Sequence, residues 1–336
     1  MAFLIVGLYA ACGDGASSSE TTEGADGTGT GSMGQGAGTA NGGAGAGSGI
    51  GVGGSGTTTG GAGGASSVTC PNEALSPGTH DGSMSFDGST RDYHVLVPSS
   101  YDNTTPIPLV FDLHGYTSNA TQQGFISGWG AVAEMHGFAV VRPEGTGGLP
   151  SWNGGDTCCG TALAQDVDDV GFLKALSAQL QRQLCVDDER IYASGLSNGG
   201  ALSHRLACDA ADVFAAVAPV AYPIAFLPMS KCSPSRPIAV MHSHGTDDGT
   251  VPYDGGFGVP SAPESFAAWA AIDGCTGAPA ETYSKGSSHC DTYSSCRGGV
   301  EVTLCTIDGP HLLYDNADDV PIANLAWDFF SKHTLP

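Results

Sequence analysis

The sequence has few basic residues: 11 Lys and Arg stand against 34 Asp and Glu among 336 residues, a formal net charge of −23. All 11 lie after residue 68. A protein this acidic is repelled by nucleic-acid phosphates and by anionic lipid surfaces. We therefore expect no nucleic-acid partner, and neutral polymers or uncharged esters are the more plausible substrates.

The apolar run that opens the sequence, MAFLIVGLYAAC, is too short to span a bilayer stably and ends in small residues. It predicts an export signal over residues 1–12. The last five residues resemble a bacterial lipobox, although Tyr9 replaces a small or branched residue and no Lys or Arg precedes the run. We predict a lipidated Cys12 that tethers a secreted or outer-surface bacterial protein. The alternative is an ordinary secretory signal with an incidental cysteine.

Residues 13–68 are almost entirely Gly, Ala, Ser and Thr. Such a segment buries too little apolar surface to offset its ordering entropy, which predicts a flexible linker. A Gly-rich coil of this length has a root-mean-square span of about 40 Å. The composition becomes globular over residues 69–336, enough for one large domain.

The cysteines lack the paired C-x-x-C spacing of zinc sites, so we expect no metal. If Cys12 carries lipid, ten of the 11 cysteines remain, which fits up to five disulfides in an oxidising compartment. Spacing alone does not give the connectivity. The nearest candidate pairs are Cys185 with Cys208, Cys275 with Cys305, and Cys290 with Cys296; Cys158 and Cys159 are adjacent in the sequence.

Apolar runs alternate with amphipathic segments through the globular region. This alternation predicts βαβ units and an α/β domain with a mostly parallel, doubly wound sheet. The predicted strands are 93–98, 108–115, 138–145, 190–195, 214–221, 236–245 and 300–307, and the predicted helices are 121–136, 165–184 and 318–331. In such sheets the working residues lie in loops beyond the carboxyl ends of the strands.

The stretch RIYASGLSNGGAL, residues 190–202, places Ser197 in the pattern G-x-S-x-G. With 52 glycines in the chain, the pattern alone is weak. Its context is a strand before the serine and a helix after it, which is the arrangement of a nucleophile elbow. The helix N-terminus favours developing negative charge. We therefore predict that Ser197 is a nucleophile; the alternative is an ordinary serine in a Gly-rich loop.

A serine hydroxyl needs a base, and in hydrolases of this kind the acid and then the histidine follow the serine. We favour His311, which directly follows the last predicted strand and a Gly-Pro turn. The acid is expected after the preceding core strand, where the spacing leaves Asp247 and Asp248 open. An acid there would fix the imidazole tautomer.

The oxyanion hole needs two backbone donors. Asn198 supplies the amide that follows the nucleophile, and Tyr116 supplies one from the early loop DLHGYTSNA. His114 precedes the serine, so we assign it a structural or substrate-contacting role rather than a catalytic one. Trp152, in SWNGG, is expected to line the substrate pocket, or else to be a packing residue.

The chain resembles secreted esterases of the polyhydroxybutyrate depolymerase and feruloyl esterase group, within carbohydrate esterase family one, over about residues 80–311. The resemblance rests on six blocks in order: LHGYTSNA, SWNGGDTCCG, DVDDVGFL, RIYASGLSNGG, HGTDDGTVPY and VEVTLCTIDGPH. It implies an α/β-hydrolase fold and a triad of Ser197, Asp248 and His311, because the family's H-G-T-x-D pattern places the acid at Asp248. Leu312 and Leu313 replace the family's usual Trp-Pro after the histidine.

Together these features predict a monomeric serine carboxylic-ester hydrolase, needing no cofactor, that acts on esters attached to a polysaccharide. A polyhydroxyalkanoate depolymerase is the close competitor. A serine peptidase of the same fold and a non-catalytic, glycan-binding surface lipoprotein are further alternatives. We expect feruloyl or acetyl esters of xylan to be preferred, since no separate polyester-binding domain is visible.

Overall fold

The computed structural model describes residues 68–316 and 318–336. These residues form ten strands and seven α-helices. The strands are β1 (Gly78–Phe86), β2 (Ser89–Val97), β3 (Ile107–Leu113), β4 (Ala139–Pro143), β5 (Val186–Leu196), β6 (Ala216–Val220), β7 (Ala239–Gly245), β8 (Ala280–Lys285), β9 (Ser288–Tyr293) and β10 (Val302–Ile307). The helices are α1 (Ala120–Ile126), α2 (Trp129–His136), α3 (Gly160–Ala164), α4 (Asp169–Leu180), α5 (Asn198–Asp209), α6 (Ala262–Ile272) and α7 (Ile322–Phe330).

All ten strands form one sheet in the order β1-β2-β4-β3-β5-β6-β7-β10-β9-β8. The central strands, from β4 to β10, pair in parallel, and the two edges are antiparallel. The predicted mostly parallel α/β sheet is therefore confirmed for the centre. The carboxyl ends of the parallel strands meet at one edge, where β5, β7 and β10 end close to Ser197, Asp248 and His311 respectively.

Helices cover both faces of the sheet. Leu173 of α4, Leu202 of α5 and Trp269 of α6 are buried in the core on one face. Trp129 of α2 and Phe330 of α7 are buried on the other face, where their rings stack with centroids 5.7 Å apart. Strands such as β3 and β4 are buried along their whole length because both of their faces are covered.

Two predicted helices differ from the structure. The segment 121–136 is divided at Gly128, whose φ of 76° is left-handed and ends α1 before α2 begins. The segment 165–184 becomes helical only at Asp169, because the Asp168 carboxylate caps the helix by accepting from the Gly171 amide. Helices α3 and α6 and the edge strands β1, β8 and β9 were not predicted.

The structure contains five disulfides within its described residues, the largest number that the sequence allows without Cys12. All three candidate pairings were wrong. The pairs are Cys70–Cys185, Cys158–Cys159, Cys208–Cys232, Cys275–Cys296 and Cys290–Cys305. Cys290 and Cys305 are directly opposed on β9 and β10, so strand register and not proximity in sequence decides that pair.

The predicted signal (1–12) and nearly all of the predicted linker (13–68) lie outside the described residues. No helix in the described part of the chain is long and apolar enough to cross a membrane. In the same part of the chain, no group of three or more His, Cys, Asp or Glu side chains is arranged to hold a metal ion.

Candidate active site

Ser197 occupies a sharp turn between β5 and α5. Its φ of 56° and ψ of −116° lie in a region that non-glycine residues rarely adopt. Such a conformation costs on the order of 1–3 kcal/mol and persists only where the surroundings impose it. The Ser197 amide donates to the Val220 carbonyl at the end of β6 (2.8 Å), which fixes the turn to the neighbouring strand.

Steric contacts explain why both flanking positions of the motif, Gly195 and Gly199, are glycine. A Cβ on Gly195 would lie 2.6 Å from the Gly199 backbone, and a Cβ on Gly199 would lie 2.2 Å from the Leu113 carbonyl oxygen. No side chain fits at either position, because real Cβ contacts are not this short. Helix α5 can therefore lie this close to β5 and to the end of β3 only with glycine at both sites. Such close approach is expected of a nucleophile elbow.

Asp248 and His311 form a hydrogen-bonded pair at the same edge of the sheet. His311 Nδ1 donates to Asp248 Oδ2 at 2.7 Å. Asp248 Oδ1 accepts from the amides of Thr250 and Val251, each at 2.8 Å. Because Nδ1 carries the proton, Nε2 of a neutral His311 is free to accept one.

Asp247 has a different environment from Asp248. It is exposed, and its amide donates to the Gly309 carbonyl (3.0 Å), which joins the loop after β7 to the loop that carries His311. Asp248 is buried. The structure thus places Asp248, the residue that the family resemblance indicates, beside His311.

The Asp248 carboxyl is held ionised. Burial alone would raise its pKa, but hydrogen bonds from His244 and His311, the charge of His311 and the Val251 amide hold the pKa below its usual value. An ionised acid in this position would stabilise an imidazolium at His311.

The loop that carries Tyr116 lies against the serine. A Cβ on Gly115 would be 3.4 Å from the Leu196 carbonyl oxygen and 3.6 Å from Ser197 Cβ. Ser118 and Thr117 donate their amides to Gly115 and Pro150, which closes the turn around Tyr116. The Asn198 amide begins α5, where the first-turn amides have no acceptor within the helix. Both predicted oxyanion donors therefore belong to segments adjacent to Ser197.

Trp152 and His114 are the two residues predicted to contact substrate, with packing or structural roles as the alternatives. Both are fully buried. His114 Nε2 accepts from the Gly145 amide at 2.9 Å, and burial lowers the pKa of this imidazole to about 4. The Trp152 indole donates to the His114 carbonyl at 3.0 Å. Both side chains therefore hold the loop that contains Gly115.

Ser197 Oγ is not hydrogen-bonded to His311 or to any other residue in the part of the chain that the structure describes. Hydrogen bonds between catalytic groups are often long before substrate binds. The side chain of His311 is 22% exposed, so solvent and ligands reach it.

The family model described as Esterase PHB depolymerase matches residues 92–259, half of the chain. The chain belongs to this family.

This PHB depolymerase-type esterase sequence is similar to feruloyl esterase B of Piromyces equi, with 34% identity over 256 residues that cover 72% of the chain but only 45% of that protein. A probable feruloyl esterase C of Aspergillus niger is 29% identical over 285 residues, covering 80% of the chain and 92% of that protein. Among solved structures, an acetyl xylan esterase from Aspergillus awamori superposes with a TM-score of 0.55 at 14% identity, covering 72% of the chain and 94% of that structure. The last similarity confirms the α/β-hydrolase fold.

The sequence analysis did not identify the hydrogen bonds that connect the segments of the site in this esterase. Asn198 Oδ1 accepts from the Trp152 amide (2.7 Å), and Asn198 Nδ2 donates to the Trp152 carbonyl (2.8 Å). The next residue, Asn153, donates its amide to buried Asp169, which pairs with Arg91 at 2.8 Å. The quoted blocks SWNGGDTCCG and DVDDVGFL contain this signal, but only the fold shows that they meet.

Proposed function

We propose that the protein is a serine carboxylic-ester hydrolase with Ser197 as nucleophile, His311 as base and Asp248 as acid. The observation that carries the proposal is the Asp248–His311 hydrogen bond of 2.7 Å at the sheet edge where the strained Ser197 turn lies. Membership of an esterase family supports the reaction class. Because the chain covers only 45% of the Piromyces protein, the activity and substrates of the whole protein are part of this proposal.

The first step forms an acyl-enzyme. Ser197 Oγ attacks the ester carbonyl carbon while His311 Nε2 takes the hydroxyl proton. The carbonyl oxygen becomes an oxyanion, which accepts from the Tyr116 and Asn198 amides. Collapse of the tetrahedral intermediate breaks the bond to the alcohol, and the imidazolium returns its proton to that leaving oxygen.

The second step releases the acid. A water molecule gives a proton to His311 Nε2 and attacks the acyl carbon. The same two amides hold the second oxyanion, and the proton then passes to Ser197 Oγ as the acyl–serine bond breaks. Asp248 stays ionised throughout and keeps the imidazole in the tautomer that accepts at Nε2.

The substrates that we propose are feruloyl or acetyl esters on xylan. The names of the relatives support this class, because two of them are feruloyl esterases and one structural neighbour is an acetyl xylan esterase. The description of the matching family favours a second candidate, a polyhydroxybutyrate depolymerase.

Hydrolysis of methyl ferulate, acetylated xylan and amorphous polyhydroxybutyrate by the full chain separates the two candidates. We expect activity on the first two and a loss of about 10⁴-fold or more in kcat for Ser197→Ala. Exclusive activity on the polyester would replace the xylan-ester proposal. Inactivity on all three, with Ser197 unlabelled by a fluorophosphonate, would overturn the hydrolase.

Asp248→Asn and Asp247→Asn provide a matched test of the acid. We expect Asp248→Asn to lower kcat by about 10⁴-fold, because an amide at this position favours the wrong tautomer of His311. Asp247→Asn should leave kcat nearly unchanged, since the backbone of this residue and not its carboxylate makes the contact to Gly309. Equal losses for the two variants would contradict the assignment.

We further propose that the protein is exported and, through Cys12, tethered to lipid. Five disulfides within one domain favour an oxidising compartment. Metabolic labelling with a palmitate analogue tests the tether: wild-type protein should be labelled and Cys12→Ser should not.

A further inference from the structure

Three histidines behind the catalytic acid have no role in the acyl-transfer steps above. His242 and His244 lie on β7 and His204 lies on α5, and all three are fully buried or nearly so. The His204 and His242 rings meet edge to face with centroids 5.2 Å apart, and those of His242 and His244 with centroids 5.1 Å apart. Burial of an imidazole favours its neutral form, so such a cluster requires a structural or functional reason.

A row of contacts runs from this cluster to the site. His242 Nε2 lies 3.1 Å from His244 Nδ1, and His244 Nε2 lies 2.8 Å from the Val251 carbonyl oxygen. The same Nε2 is 3.4 Å from Asp248 Oδ2, the oxygen that accepts from His311. His244 therefore contacts both the catalytic carboxylate and the loop segment whose amide binds that carboxylate.

The hydrogen-bond partners of His244 and His242 determine which ring nitrogen of each carries the proton. A carbonyl oxygen can only accept, so His244 Nε2 must carry a hydrogen. In a neutral His244 the other nitrogen, Nδ1, then has a free lone pair, and His242 Nε2 must be the donor to it. The opposite direction would move the His242 proton to its Nδ1, which has no hydrogen-bond partner among the described residues. A buried donor without an acceptor is costly.

We propose that His244 is a positioning residue for the catalytic acid, and that His242 sets its tautomer by donating Nε2–H to His244 Nδ1. His244 Nε2–H then holds the Val251 carbonyl and faces Asp248 Oδ2. The carboxylate is thereby fixed at both oxygens, by two amides at Oδ1 and by His244 and His311 at Oδ2. The inference rests on the proposed role of Asp248.

Two aromatic side chains and a third histidine complete the surroundings of the row. Trp269 donates its indole N–H to His204 Nδ1 at 2.9 Å, so that nitrogen carries no proton. Burial lowers the pKa of His204 to about 3, and burial together with its two histidine neighbours lowers the pKa of His242 well below its usual value. Tyr253 packs edge to face on His244 and directs its hydroxyl to Thr306 instead.

The first test is the tautomer itself in the wild-type protein. ¹⁵N shifts of histidine-labelled protein distinguish Nδ1–H from Nε2–H, with Gln variants assigning the signals. We expect His242 and His244 both to carry their proton at Nε2 and not at Nδ1. A proton on Nδ1 of either ring would overturn the proposal. This measurement needs no substrate, so it decides the inference even if every ester tested is inert.

The second test uses paired variants at position 242. His242→Gln keeps a donor near the position of Nε2, whereas His242→Leu keeps the bulk without the donor. We expect His242→Leu to lower kcat for p-nitrophenyl acetate, and the rate of fluorophosphonate labelling of Ser197, by about 10- to 100-fold with KM unchanged. His242→Gln should restore most of the rate.

His333→Leu, a change at a buried histidine near the C-terminus, is the control and should leave both rates near those of the wild type. Equal rates for the Gln and Leu variants at position 242 would overturn the proposal, because bulk alone would then explain the site. If the wild-type protein is labelled at Ser197 and both variants at position 242 are labelled at the same rate as the wild type, the hydrolase proposal stands. Only the proposal about the histidine row is then rejected.

Discussion

Trp152 is the residue that joins the two segments proposed to supply the oxyanion amides. Its main chain is held by the Asn198 side chain, and its indole holds the carbonyl of His114, one residue before Gly115. Trp152 thus links the turn at Ser197 to the loop that carries Tyr116. Its effect on catalysis should appear in kcat and not in substrate affinity.

Trp152→Phe removes the indole N–H and keeps an aromatic ring. We expect kcat for p-nitrophenyl acetate to fall about tenfold with KM within about twofold, because the oxyanion donors are displaced while the binding surface is unchanged. Steady-state kinetics measure both. Trp129→Phe is the matched control: Trp129 is equally buried, but its indole nitrogen has no hydrogen-bond partner within the described residues. A similar loss in both variants would indicate general loosening of the core.

At the scale of elements, the β5–α5 junction depends on the absence of side chains. We expect Gly199→Ala to lower the free energy of unfolding by about 3 kcal/mol, because its Cβ would lie 2.2 Å from the Leu113 carbonyl oxygen. Activity should be lost as well, since the turn at Ser197 must open. Urea denaturation and an esterase assay measure the two effects. Gly148→Ala, where a Cβ meets nothing within 4 Å, should change neither.

The disulfides allow a comparison between short and long loops. Cys290–Cys305 spans 15 residues and Cys70–Cys185 spans 115. Chain-entropy arguments give about 3 kcal/mol for the first and about 5 kcal/mol for the second. We expect the double Ala variant of the long-range pair to be the less stable in urea. The reverse order would show that packing of the cysteines, and not loop closure, dominates their contribution.

The elements that position the site were predictable because they have strong local signals. A buried apolar strand, a Gly-flanked serine and a following helix identify β5 and α5, and both motif glycines prove sterically necessary. The edge strands β1 and β8 gave no such signal, since their residues are mostly polar and exposed. The pairing of Cys290 with Cys305 depended on β9, so missing that strand made the disulfide prediction wrong.

The roles of the triad residues remain predictions, but the structure distinguishes the two candidates for the acid that the spacing left open. Asp247 and Asp248 are adjacent and chemically identical, and only burial and the contact with His311 distinguish them. The contacts that support the site from behind could not be predicted from the sequence. Contacts such as Asn198 with Trp152 or His244 with Asp248 join segments whose proximity depends on the whole sheet.

Over the whole molecule, buried histidines should make the fold sensitive to acid. Burial lowers the pKa of His204 from 6.5 to about 3 and that of His114 to about 4. Between these values and 6.5 the unfolded chain binds the proton and the folded chain does not, so the free energy of unfolding falls as the pH falls. Asp273 acts in the opposite sense, because burial raises its pKa from 3.8 to about 7 and folding then favours the protonated form.

A His204→Gln variant isolates one of these contributions. Near pH 5 we expect the slope of unfolding free energy against pH to be smaller than that of the wild type by about 1.4 kcal/mol per pH unit, the value for one proton. Urea denaturation at several pH values measures the slope independently of any constant destabilisation. His136→Gln, a change at an exposed histidine, should leave the slope unaltered. An unchanged slope for His204→Gln would mean that its ring takes up a proton in the folded protein.

If the proposed tether through Cys12 exists, the Cys70–Cys185 bond has a mechanical consequence. Tension applied at residue 68 enters the domain at Cys70, which is bonded to Cys185, the residue immediately before β5. The force therefore passes into a central strand of the sheet and bypasses the antiparallel β1–β2 hairpin, which could otherwise be peeled from its edge. Strand β5 leads directly to Ser197, so under the proposed tether the pulling force reaches the strand that carries the proposed nucleophile.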